Sequence, residues 1–281
     1  RSQALGWLTA AASAGVMLGP AVASLAKSYS TIGPGYVAAG LCLLNAISAW
    51  ILLPEPRRHR DAPPRGASPG ATRRAFGEVL RRPSGRIGAL IWIYAAGMMA
   101  FMAMNGILAL YLDVRFGVTE ANIGWFYTYV GGVSLLMRSL VLGPTVRRLG
   151  EVRLMRIGAL TVGAGLLALS LATDIPQLAL AAFLTPVGTA FLFPTTTSLV
   201  SGRAPDNETG TVLGVQQMVG GVSRMLGPMW AGLAFQHLGI RSPFWIAAAL
   251  MVCAFFFAAV VRDEGTASDE AAPVVVPNTP T

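Results

Sequence analysis

Charge is what this sequence has least of. Of its 281 residues only 12% are charged, while 54% are apolar. A soluble globular chain carries about 25% charged residues, so half of the polar surface it would need is missing. That shortage excludes a soluble enzyme and requires lipid over most of the exterior. Cysteine is scarce as well. Cys42 and Cys253 each lie in an apolar run. They form no CxxC pair or disulfide framework and read as small buried hydrophobes. His59 and His237 lie outside the apolar runs, and zinc-ligand spacing, HExxH and GxSxG are all absent. No metal, cofactor or catalytic residue is expected, and the chain does not read as an enzyme. Acid is the rarer sign of charge, leaving a net charge of +8. In a soluble protein that excess would suggest nucleic acid. Here the basic residues cluster between apolar runs, the habit of an inner-membrane protein, and no nucleic-acid partner is expected.

Those runs are what the sequence has in abundance. About 20 mostly apolar residues cross a bilayer as a helix, and eight segments qualify: 5–26, 35–54, 86–111, 122–143, 155–173, 177–200, 211–236 and 242–262. The first has no basic leader or cleavage site and is not a signal peptide. It begins almost at Arg1, which suggests that upstream sequence is missing. With the amino terminus inside, sixteen of the 21 basic residues fall on the cytoplasmic side. They are Arg1, nine arginines from Arg57 to Arg86, Arg147, Arg148, Arg153, Arg156, Arg203 and Arg262. Only Lys27, Arg115 and Arg241 fall outside. This bias predicts a multi-pass protein of the inner cell membrane with both termini cytoplasmic. Residues 56–85 are rich in Pro, Gly and Arg and predict an extended basic linker, attracted to anionic headgroups of the lipid bilayer. The Pro/Thr/Ala-rich stretch 264–281 predicts a disordered tail.

An internal repeat relates the ends of the chain. A shift of 208 positions lays Leu5-Gly6 on Leu213-Gly214 and Met17-Leu18-Gly19-Pro20 on Met225-Leu226-Gly227-Pro228. One residue later, Pro34, Ala38 and Ala39 meet Pro243, Ala247 and Ala248. Both copies start on the cytoplasmic side and stand six spans apart, so the unit is six helices repeated in parallel. Two such halves are the architecture of major facilitator transporters. The chain resembles spans 5–12 of that twelve-helix, all-α membrane fold, most closely its drug/proton antiporter branch, which includes tetracycline exporters. The resemblance implies that residues 1–55 hold the last two helices of an N-terminal half and 86–263 a complete C-terminal half. The first four helices of the same protein would then be partners of this chain.

Two motifs carry that likeness. Gly15, Gly19, Pro20, Ala23 and Ser24 form a small-residue stripe with a helix-bending proline, similar to the family's exporter motif GxxxGPxxGG. Gly227 and Pro228 are its second copy. Gly143-Pro144-Thr145-Val146-Arg147-Arg148-Leu149-Gly150 and Arg153 look like the loop GxLaDRxGRR. There Gly143 and Gly150 would permit a tight reversal, and Arg148 and Arg153 a cytoplasmic latch. Arg147 stands where the family has Asp.

Arg138 and Arg224 fall inside spans, where a cation costs roughly 2.5–3.5 kcal/mol. Gln217, Gly221, Arg224 and Pro228 share one helix face. Arg224 therefore reads as facing a watery cavity or a protein partner, and Arg138 as doing so or snorkelling to the inner surface. Tyr94, Met98, Met102 and Asn105, with Phe101 beside them, share a face suited to apolar ligands. Tyr127, Tyr129 and Gln217 are further cavity candidates. By resemblance the protein is a secondary transporter that effluxes small amphipathic or drug-like compounds by alternating access, as in drug resistance, with protons as the coupling ion. Two rival readings are an importer of sugars or organic anions and a truncated, non-transporting membrane fragment.

Overall fold

The computed structural model describes residues 32–52, 85–119, 122–205 and 208–259, together with Gly15, Gly19, Val22, Ala26, Ser30 and Gly77. Seven helical stretches follow one another in this part of the chain: α1 (Gly33–Leu52), α2 (Arg86–Phe116), α3 (Ile123–Leu149), α4 (Glu151–Leu171), α5 (Ile175–Arg203), α6 (Thr209–Leu238) and α7 (Ser242–Ala259). The helices are apolar on nearly all sides, the pattern of rods surrounded by lipid and one another. The expected linker, the tail and most of the first span lie outside the described residues. α1 and α7 start 209 positions apart, each with proline as its second residue. That is the offset at which the repeat aligns them.

α1 to α5 are long and apolar enough to cross a membrane. α6 is not among them, because Gln216, Gln217, Arg224 and His237 dilute its apolar content. α2 outruns its expected end at 111 and closes at Gly117, whose φ of +64° suits a residue without Cβ. Its N–H bonds to the Asp113 carbonyl. α5 opens at Asp174, whose Oδ1 accepts from the Gln177 N–H at 2.8 Å.

α2 to α7 pack together, and small residues decide where. Lipid tails compete equally for apolar surface, so helices associate through close packing and hydrogen bonds. α4 and α5 cross where a Cβ on Gly188 would stand 2.6 Å from the Val162 nitrogen, and one on Gly158 would stand 2.7 Å from that of Leu192. α6 meets α2 in the same way, with Gly227 against Met99, Met102 and Ala103, and Gly106 against Pro228. α7 lies against α4 and α2. There Phe244 tilts over Tyr111 at 4.6 Å, Arg156 Nε donates to the Ala258 carbonyl, and Trp245 Nε1 donates to Ser170 Oγ. α3 leans on α5 and stays largely exposed, as does the whole of α1.

Two expectations need correction. Cys42 and Cys253 are free and exposed, because a lipid-facing exterior accepts small apolar groups as readily as a core does. The arginine-rich loop is mostly helix. α3 runs through Gly143, Arg147 and Arg148 to Leu149, and the reversal is made by Gly150 alone, at φ +76° and ψ 161°. Arg153 already belongs to the first turn of α4. Pro144 follows a π-turn, Met137–Val141, and the helix continues through it.

Candidate functional site

That π-turn, Met137–Val141, is where α3 departs from regularity. Pro144 has no N–H for the Leu140 carbonyl and would clash with it in a regular helix. The chain widens just before it, and the Leu142 N–H bonds to the Met137 carbonyl. π-turns of this kind cluster at functional sites, and this one carries Arg138.

Arg138 lines a cavity of about 240 Å³ bounded chiefly by α2, α3 and α5. α2 contributes Phe101 and Asn105, and α3 contributes Tyr127, Gly131, Ser134 and Arg138, spaced four, three and four so that they share one face. On α5, Pro186 offers no N–H to the Ala182 carbonyl, and both residues border the cavity. The walls are otherwise aromatic and aliphatic, with Phe126, Val130 and Leu108. Polar atoms are few. Asn105 Nδ2 donates to the Phe101 carbonyl at 2.8 Å, leaving its amide oxygen as the free acceptor. Arg138 Nε and Thr185 Oγ1 are buried with no hydrogen-bond partner among the described residues. Such groups are costly in an apolar setting unless something fills the space and bonds to them.

The sequence candidates divide between this cavity and other places. Asn105, Tyr127 and Arg138 border it. Tyr94 and Met98 are buried, and the Tyr94 ring packs edge-on to Phe193 at 5.5 Å with Gly220 against it. Met102 presses on Gly227 at the α2–α6 contact. Tyr129 is exposed and donates to the Ala179 carbonyl at 3.1 Å. Arg224 and Gln217 form one exposed polar pair, Nη2 to Oε1 at 3.1 Å. They lie on the face of α6 left open by α2. Pro228 and Gly227 hold α6 against α2, and α6 continues unbroken through them. Gly15 and Gly19 have no described residue within 4 Å of where a Cβ would stand, and Pro20 lies outside the described residues.

Some cavity residues escaped the sequence reading. Gly131, Ser134, Thr185 and Thr189 border it. The signal for the first two was present: counting back from Arg138 by four, three and four gives the same small-polar face that singled out Arg224. The threonines carry no such mark, since membrane helices routinely bond Thr back to their own carbonyls. Thr195 and Thr196 do so, whereas Thr197 accepts from Gln216 Nε2 at 2.9 Å and Ser198 donates to Glu151 at 2.6 Å.

Known proteins resemble this chain along most of its length. Multidrug resistance protein 1 of Bacillus subtilis is 26% identical over 248 residues, covering 88% of this chain and 61% of that protein. Multidrug resistance protein MdtG of Escherichia coli is 30% identical over 162 residues, covering 56% of this chain and 39% of that protein. The chain thus spans about three-fifths of the length of the first of these relatives. In structure, it is similar to the human organic anion transporter MFSD10, with a TM-score of 0.59 and 23% identity over 68% of this chain and 46% of that one. The family model described as Major Facilitator Superfamily matches residues 1–141 and 106–277. Members of that family are membrane transporters and not enzymes. With nearly its whole length inside that match, this chain belongs to the Major Facilitator Superfamily.

Proposed function

We propose that the chain forms part of a secondary transporter that exports small amphipathic, drug-like compounds by alternating access. Residues 1–55 supply the last two helices of one half, 56–85 a basic cytoplasmic linker, and 86–263 the other half, ahead of the tail 264–281. Both termini lie in the cytoplasm and proton entry supplies the energy. The observation that carries this reading is the cavity inside the helix cluster. Its aromatic and aliphatic walls suit varied apolar bodies, and polar groups among them, such as Asn105, Tyr127 and Arg138, orient them. Relatives named for multidrug resistance support the direction of transport. Arg224 and Gln217, open on α6, face the opposite half and take part in closing the pathway.

The test uses cells that express the full-length gene and are preloaded with amphipathic dyes. Energised cells lose dye faster than vector controls, and an uncoupler removes the difference. Dye loss no faster than in the controls overturns the reading, and faster uptake replaces it with import.

A further inference from the structure

We infer that the cavity among α2, α3 and α5 takes its solute as a monoanion, with a carboxylate or sulfonate on the Arg138 guanidinium and an apolar body against Phe101, Phe126 and Val130. The inference rests on the reading of this cavity as a solute site and adds the charge that it selects.

The first argument is place. Arg138 shares its cavity with Asn105 of α2 and Tyr127 of its own helix, so a solute that enters meets the guanidinium beside apolar walls. The second is saturation. Arg138 Nε is sealed from solvent and has no partner among the described residues, and the cavity lining contains no carboxylate. Arg224, the other intramembrane cation, already holds Gln217. The third is shape. Ser134 and Gly131 stand one and two turns before Arg138 on its own face. Their small side chains leave space beside the guanidinium, while the aromatic rings line the remainder. A guanidinium offers a planar fork that matches a carboxylate with two parallel hydrogen bonds, and the surrounding low dielectric strengthens both.

Three ligands with one aromatic body decide the matter: 2-naphthoate, the neutral 2-naphthamide and the cationic 2-naphthylmethylammonium. Each is titrated calorimetrically into the purified full-length protein. Naphthoate binds at least about tenfold tighter than the amide, as a charge-assisted hydrogen bond requires, and the ammonium binds weakest. Arg138→Gln weakens naphthoate about tenfold and leaves the amide unchanged, while Arg147→Gln, at the exposed end of α3, changes neither. Equal binding of acid and amide, preference for the cation, or unchanged naphthoate affinity in Arg138→Gln overturns the inference. If that variant does not fold, Arg138→Lys and the wild-type series still decide. Lysine retains preference for the acid but loses part of the affinity that the planar fork supplies. Binding of the amide or the ammonium without the acid sinks the charge assignment alone. Binding of none of the three sinks the cavity reading with it.

Discussion

Gln216 is the residue where polarity and burial conflict most. It is wholly buried, Nε2 donates to Thr197 Oγ1 at 2.9 Å, and Oε1 has no partner among the described residues. Thr197→Val strands the amide nitrogen as well and costs about 1–3 kcal/mol. Gln216→Leu added to it removes both polar ends and restores most of that loss. Thermal unfolding in detergent reads the cycle, and strictly additive effects would dismiss the coupling. Its neighbour Gln217 points the other way, to Arg224. Arg224→Ala abolishes export by the full-length protein and leaves its membrane level unchanged, measured by dye efflux beside an immunoblot. Wild-type efflux removes Arg224 from the pathway. Both arginines stand out in the sequence, since intramembrane charge is rare. Which of two adjacent glutamines faces inward is not legible there, because successive helical positions differ by only about 100° and both faces of α6 carry small and polar residues.

At the scale of elements, glycine sets the helix contacts. Gly188 and Gly158 bring the α4 and α5 backbones together, and a Cβ on Gly188 would stand 2.6 Å from the Val162 nitrogen, 2.7 Å from Val162 Cγ2 and 2.9 Å from the Gly158 carbonyl oxygen, the first and last of them backbone atoms that cannot turn aside. Gly188→Ala therefore lowers stability by about 1–3 kcal/mol, as overpacking does elsewhere. Gly232→Ala on α6, with open space at its Cβ, is neutral in the same melt. An equal response from the two would show that the crossing is not close-packed. The extent of each helix was legible from hydropathy to within about two turns at either end. The π-turn was not, although Pro144 was in view. Proline announces a broken hydrogen bond, but whether the chain kinks, ends or widens depends on what packs beside it.

For the whole molecule, the distribution of arginine predicts orientation. Alkaline phosphatase fused after Val118 or Thr173 lies outside the membrane and is active, while a fluorescent protein fused after Gly150 or Pro205 lies inside and glows. The inverse pattern would reverse the assigned topology. The exterior is consistent with a bilayer on part of its surface and another half on the rest. Leu140, Leu171, Leu180 and Phe256 are each 60% exposed or more, and two of them, Leu171 and Leu180, lie on the helices α4 and α5 that also carry a close-packed glycine seam. Arg224 and Gln217 form a polar pair on the exposed side of α6, the mark of a face that meets protein or water.

The sequence by itself determined the class of the protein. Too little charge to cover a soluble surface and helix-length apolar runs require a helical membrane bundle whatever its contacts. It also marked Arg138 and Arg224, because a cation among apolar residues is conspicuous without coordinates. Only the tertiary structure decided what each of them meets. Enclosure is made by three helices at once, and no periodicity along one helix reports the distance to another. Arg224 found Gln217 on its own helix, while Arg138, carried on the π-turn of α3, came to lie with Asn105 and Tyr127 in a cavity bounded chiefly by three separate stretches of chain.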